Sequence, residues 1–332
     1  MSDDNGFKEL LWRELVAADL IPTSEHYRQV AAELARCGSA ERDSVRSLVG
    51  AFTWRCGLLL SGAARPRHAA IRILGWGRAL TEFFVAPIDL PDADYSSVTS
   101  LGALANLIVT LYDSYVEHGL LRRNPLPRHA LDAAAGGARQ ELRQPRPFLS
   151  IPFRVMTTLV AAYFHRLHEL PYAAQRPEVR QLIGDAIMRM YDAENETLHE
   201  QRSRRAVWRK SVYPFVVMGL PAWLAAPVMD FERYWWHLRW LFRLGAFYAW
   251  IDDAIDLRHD LKKQHPNLVT SSLPMIGGDG QKEADMARKI AGEGRRVMSE
   301  WQTRVEEGQA NPSPMASHAF SACLASWFDR PS

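Results

Sequence analysis

The stretch FERYWWHLRWLFRLGAFYAWIDDAIDLRHDLKK, residues 231–263, decides how this chain is read. It contains no proline and a single glycine, Gly245, so it is expected to form one long helix. At about 1.5 Å per residue such a helix would span on the order of 50 Å, enough to cross a domain. Its first two-thirds carry the aromatics Tyr234, Trp235, Trp236, Trp240, Phe242, Phe247, Tyr248 and Trp250; then come the carboxylates Asp252, Asp253, Asp256 and Asp260. Residues four apart lie on one helical face, so Asp252, Asp256 and Asp260 form a row with Tyr248, Leu244 and Leu241 upstream on the same side. A row of acids is ordinarily a solvated face. Here like charges at i,i+4 repel, and they sit at the end where the helix dipole disfavours anions. Together with the apolar approach, this implies that a cation belongs among them.

The other 299 residues place that helix in an all-α chain. Hydrophobic residues make up 47% and charged residues 23% of 332, normal for a globular core. The net charge of +2 points to neither a nucleic-acid nor a membrane partner. Cys37, Cys56 and Cys323 have no metal-binding spacing and give no disulfide framework. The start, MSDDNGFKEL, lacks the apolar core of a signal peptide. The apolar run 212–229 is interrupted by Pro214, Pro221 and Pro227 and reads as a broken core helix, not a transmembrane segment. A cytoplasmic protein is expected. Helical periodicity predicts helices over 7–20, 24–37, 40–61, 66–84, 100–119, 151–170, 177–201, 204–220 (kinked or ended by Pro214), from the glycine-rich loop to about 309, and 312–328. Loops are expected over 86–97, 122–128 and 264–281, with a poorly determined stretch around Gly136–Gly137. Without a linker or an internal repeat, residues 1–332 are expected to form one all-α domain.

A second acidic site lies in LANLIVTLYDSYVEHG, where Asp113 and Glu117 stand four apart after an apolar run. A lone pair of this kind is usually a surface pair, but two helices with carboxylate ends could hold magnesium, a hard ion that takes oxygen ligands and completes its shell with water and phosphates. Between the two acidic sites, HEQRSRRAVWRKSVYPF gathers Arg202, Arg204, Arg205, Arg209 and Lys210 within nine positions. Guanidinium forks phosphate oxygens and lysine offers a compact charge; Arg258 and Lys262 lie close to the acid row.

With both motifs in view the chain resembles the class I terpene synthases and their isoprenoid-synthase relatives. Asp113-Ser-Tyr-Val-Glu117 is similar to the family's aspartate-rich first motif, with Ser114 where a second Asp is common. Asp252-Asp253-Ala-Ile-Asp256-Leu-Arg-His-Asp260 is similar to its (N/D)Dxx(S/T)xxxE motif, with Asp at all three ligand positions, and the motifs begin 139 residues apart. IDDAIDLRHDLKKQHPNLV also resembles the second motif of the large-terpene synthases, although Asn267-Leu268 inverts their Leu-Asn pair. The Arg-Tyr pair of many bacterial cyclases is missing; Arg330 is a poor substitute.

The resemblance implies a helical bundle with a central cavity, an allylic prenyl diphosphate substrate, and several Mg2+ ions, with Mn2+ as an alternative. The ions would be held by Asp113, Glu117, Asp252, Asp256 and Asp260. It implies a diphosphate-sensing arginine some forty-odd residues before the second motif, where Arg205 fits, and Lys210-Ser211 is similar to the Lys-Thr step of related prenyltransferases. Arg205, Arg209, Lys210, Arg258 and Lys262 would meet the diphosphate. Tyr248, Phe247 and Trp250 would face a carbocation, and the loop over 264–281 would act as a lid. A homodimer is compatible with this reading. The alternatives are a chain-elongating or head-to-head prenyltransferase of the same fold, a di-iron bundle hinted at by the lone ExxH at Glu196–His199, and a helical interaction protein without catalysis.

Overall fold

The computed structural model describes residues 5–62, 66–121, 126, 128, 131, 151–198, 203–263, 267–269, 280–308 and 314–328. The described residues form helices joined by short turns, without strands. The order is α1 (Asn5–Ala17), α2 (Ser24–Val49), α3 (Ala51–Leu60), α4 (Pro66–Val85), α5 (Asp92–Glu117), α6 (Ile151–His168), α7 (Pro177–Leu198), α8 (Arg204–Gly219), α9 (Ala222–Ala225), α10 (Phe231–Ile255), α11 (Leu257–Lys263), α12 (Gly280–Glu307) and α13 (Pro314–Trp327). None is long and apolar enough to cross a membrane.

Helix α5 runs through the middle: α4, α6 and α8 pack along it, and α10 packs on α8 from the far side. A continuous buried cluster draws side chains from α1 through to α13. Its densest part is aromatic, with Phe83 set against Trp240, Trp301 and Phe320 at centroid distances of 5.5, 4.7 and 5.6 Å. The indole N–H groups buried there need acceptors and find them in backbone carbonyls: Trp240 donates to Val297 and Trp301 to Phe83.

Several predicted boundaries move, each for a visible reason. The helix expected to end at Cys37 continues to Val49, and the break falls at Gly50, whose φ of 85° is left-handed. The stretch 86–97, read as loop for its prolines, turns helical at Asp92; Asp92 and Asp94 lie in the first turn, where carboxylates suit the helix dipole. Pro214 does not end α8. It removes the N–H that would have bonded the Lys210 carbonyl and crowds that carbonyl with its ring, yet the helix continues to Gly219. The long helix is interrupted at Asp256, where φ −89° and ψ 2° close α10, and α11 resumes at Leu257. The expected turn at 122–128, apart from residues 126 and 128, the stretch around Gly136–Gly137, and most of the 264–281 loop lie outside the described residues.

One close approach fixes α8 against α10. A Cβ on Gly245 would lie 2.9 Å from the Cα and carbonyl oxygen of Val212, so α8 and α10 meet backbone to backbone. Lys210 is two residues before that contact on α8, and Asp252 two turns beyond it on α10.

A fully buried histidine helps to hold the other half of α10. Trp223 Nε1 donates to His237 Nδ1 at 2.9 Å, and His237 Nε2 donates to the Phe84 carbonyl at 2.9 Å, which fixes a neutral tautomer. Burial pushes its pKa down to about 4, against the opposing effect of the Phe84 hydrogen bond. The unfolded chain takes up this proton near pH 6.5 and the folded chain only near 4. The histidine's contribution is therefore intact above pH 6.5 and falls away as pH drops toward 4, by on the order of 3 kcal/mol. Chemical denaturation at successive pH values should show this acid-side slope in the native protein and a shallower one in His237→Leu.

Candidate active site

Lys210, on the second turn of α8, is where the helices carrying carboxylates converge. Its Nζ is hydrogen-bonded to Asp113 Oδ1 of α5 and lies 3.6 Å from Glu194 Oε1 of α7. Ser203 caps α8 by accepting from the Ala206 N–H, which starts the helix so that Lys210 faces α5 and α7. Burial alone would lower the Lys210 pKa. The charges of Glu194, Asp113 and Glu117 outweigh it and hold the ammonium above its ordinary range. Glu194 is only 5% exposed, and burial raises its pKa to about 7 despite Lys210.

The second acidic motif belongs to the same electrostatic neighbourhood. Asp252 is exposed at the surface, yet the protein packed around it disfavours its charged form. Burial, Asp256 and Asp253 raise its pKa to about 7, Lys210 pulls it down, and Asp113 pushes it up. Asp113 and Asp252, far apart in sequence, thus feel one another and the same ammonium. Asp256 is also exposed.

The other two carboxylates of the motif are tied into the fold. Asp253 is 6% exposed and accepts the Leu268 N–H; its pKa is raised to about 7 by burial, against that hydrogen bond. Buried Asn267 donates to the Asp253 carbonyl at 2.7 Å and to Asp260 Oδ2 at 3.0 Å, and accepts from the Val269 N–H at 2.9 Å. The Asn267-Leu268 pair, noticed in the sequence as an inverted motif, is the clamp that holds the chain beyond α11 against the acids.

Behind Lys210 lies a cavity of about 60 Å³ between α5, α6, α7 and α8. Ile108, Val109, Met156, Val160, Ile187 and Met190 form its apolar wall, and Tyr112, Tyr191, Glu194 and Lys210 its polar end. Tyr112 is 7% exposed, and among the described residues its hydroxyl has no hydrogen-bond partner. A buried hydroxyl left without a partner costs stability. A larger groove of about 430 Å³, between α10 and α12, includes Trp236, Arg243, Glu300 and Arg304 in its lining but none of the predicted site residues. Arg243 there is paired with Glu293 and Glu300.

Not every predicted residue joins this cluster. Phe247 and Tyr248 are each 1% exposed. Tyr248 donates to the Phe320 carbonyl and stacks on Phe215, and Phe247 stacks on Phe320, so both belong to the core against α13 and do not line the cavity. Trp250 is half-buried against the same core. Arg209 lies 3.9 Å from Glu196, Arg205 is exposed on the first turn of α8, and Lys262 is exposed on α11. Arg202, His199 and the Arg258 side chain lie outside the described residues. Glu194 and Tyr112 were not singled out from sequence. Glu194 had a signal, because Ile187, Met190, Tyr191 and Glu194 follow the 3–4 spacing of one helical stripe.

Among the described residues no three His, Cys, Asp or Glu side chains are grouped as a metal cage. No protein-family model and no curated protein matches the chain.

A carboxylate whose pKa is raised from 3.8 to about 7 destabilises the fold increasingly as pH rises through that interval. Asp252→Asn should therefore raise the melting temperature of the metal-free protein at pH 8, and the gain should vanish near pH 4. A variant less stable than the native protein at pH 8 would mean that Asp252 is not held above its ordinary pKa by burial and its neighbouring acids.

Proposed function

We propose that this chain is a magnesium-dependent class I terpene synthase, which ionises an allylic prenyl diphosphate and directs the carbocation to a hydrocarbon or alcohol. One observation carries the reading: Lys210 is hydrogen-bonded to Asp113 at the end of α5 and its charge reaches Asp252 on α10, while its side chain lines one end of a largely apolar cavity. An anionic head and a greasy tail ask for that pairing of chemistries. The proposal also draws on the motif resemblance of Asp113–Glu117 and Asp252–Asp260.

The donor set suits magnesium. Asp113, Glu117, Asp252 and Asp256 would offer hard oxygen ligands once drawn together; burial first, and neighbouring carboxylates second, raise the pKa values of Asp252 and Glu194, and a bound cation would offset both effects. Bound metal would supply Lewis acidity toward the departing diphosphate. Asp260, hydrogen-bonded to Asn267, orients the others' neighbourhood in this reading. Lys210 is placed to neutralise diphosphate oxygens as charge builds on them, and Arg205 and Lys262 are exposed cations available to assist.

The rings facing the tail are Tyr112 and Tyr191, which replace Tyr248, Phe247 and Trp250 in that role. Their faces would favour a neighbouring cation by about 0.5–2 kcal/mol each. The hydroxyl of Tyr112 offers an oxygen acceptor inside the pocket that could hold one bound water. A cavity of about 60 Å³ has room for about two waters, so a prenyl chain must push its walls aside. The unbranched Met156 and Met190 are the side chains best able to yield.

Purified protein incubated with prenyl diphosphates of increasing length, with and without magnesium, should release diphosphate and an organic-soluble product seen by gas chromatography–mass spectrometry. Asp256→Ala and Lys210→Met should each cut turnover roughly 100-fold or more. Longer prenyl diphosphates formed on adding isopentenyl diphosphate would identify a prenyltransferase instead. No turnover of any of them would leave a helical protein with an acidic cleft.

A further inference from the structure

Helix α3 is apolar on both sides. Trp54 and Leu58 are buried beneath it, while Phe52, Leu59 and Leu60 on its outer side are 76%, 51% and 39% exposed, and Leu48 at the end of α2 is 43% exposed. A helix apolar all round is built to be covered, and a contiguous exposed apolar patch marks a contact surface. The charge around it identifies the cover. Between Asp43 and Glu82 the sequence has no acidic residue and six arginines, of which Arg78 is paired with Glu41 and Glu82. Arg55 lies on the same outer face of α3 as Phe52 and Leu59, and Arg46 stands near the end of α2. Both are exposed, and among the described residues neither is paired with a carboxylate. A second copy docked by two-fold symmetry would set this basic face against itself. A bilayer containing anionic phospholipid meets both needs, with acyl chains for Phe52 and Leu59 and phosphates for the arginines.

We infer that α3 and the end of α2 form a docking surface for anionic phospholipid bilayers. Its position gives the contact a purpose. Tyr115 donates to the Gly57 carbonyl at 3.0 Å and Ser114 to the Ser61 carbonyl at 2.8 Å, which ties α3 to α5 beside Asp113. A docked chain holds the Asp113 end of the cleft at the membrane, where long-chain prenyl compounds partition. That last step rests on the proposed function; the docking does not.

The test is flotation of the full-length protein with vesicles of phosphatidylcholine alone and with about one-third phosphatidylglycerol. Binding should need the anionic lipid and be lost in high salt. Phe52→Glu/Leu59→Glu should abolish it without changing the circular dichroism melt, and Arg55→Glu, at an exposed position, should weaken it by roughly tenfold. Phe231→Glu/Trp235→Glu is the control. Those two residues form another exposed apolar patch, flanked by Asp230 and Glu232, and should not matter. Absence of flotation on anionic vesicles, or flotation unchanged by Arg55→Glu, overturns the proposal. So does a dimer in light scattering that Phe52→Glu/Leu59→Glu dissociates, since α3 would then be a subunit interface. Turnover is not read in any arm, so failure here and failure of the enzyme reading are separate outcomes.

Discussion

A single ammonium group holds the middle of this molecule's acidic cleft together. Lys210 meets Asp113 from α5 and Glu194 from α7, and it moderates Asp252 from α10. Remove that charge and three helices would bring carboxylates toward one another in surroundings where water screens them poorly. The contact does not make the site cheap to fold. Burying ionised groups costs several kcal/mol each, and their attraction returns only part of it. Arrangements of this kind persist where a charged partner is to be received, and this cleft still has more acid than base.

The fold class was legible because helical periodicity is strong wherever a helix has one wet and one dry face. What periodicity could not resolve is which neighbour meets a helix that is apolar all round. Tyr248 lies one turn before Asp252, so by spacing the two share a face. In the structure α13 covers that face at Tyr248, the hydroxyl bonds the Phe320 carbonyl, and only the last turn opens on the cleft. The aromatic side chains of the cavity come from α5 and α7, and they looked like ordinary core positions in sequence.

The acids themselves were half legible. Offsets of four and eight put Asp252, Asp256 and Asp260 in a row, and nothing in IDDAID breaks a helix by propensity. The interruption at Asp256 goes with the tertiary tie beyond it. Asn267 and Leu268 bond Asp260 and Asp253, pulling the following chain onto the end of α10. That is a contact between residues seven and fifteen apart, which a one-dimensional pattern does not encode. Glu194 was obscured by its neighbours Glu196 and His199, whose ExxH spacing was the more conspicuous signal although Glu196 instead lies near Arg209 and Ser203.

The backbone contact at Gly245 sets two mechanical regimes in one cleft. With α8 and α10 touching through main chain, neither can slide past the other without a clash, so the spacing between Lys210 and the acids of α10 is fixed like a calliper. The cavity behind it is walled partly by methionines, which change shape at little cost. In the proposed reading, discrimination among ligands should accordingly be strict at the charged end and lax along the hydrocarbon. Variation that alters selectivity would then accumulate on the faces of α6 and α7, leaving the α8–α10 crossing untouched.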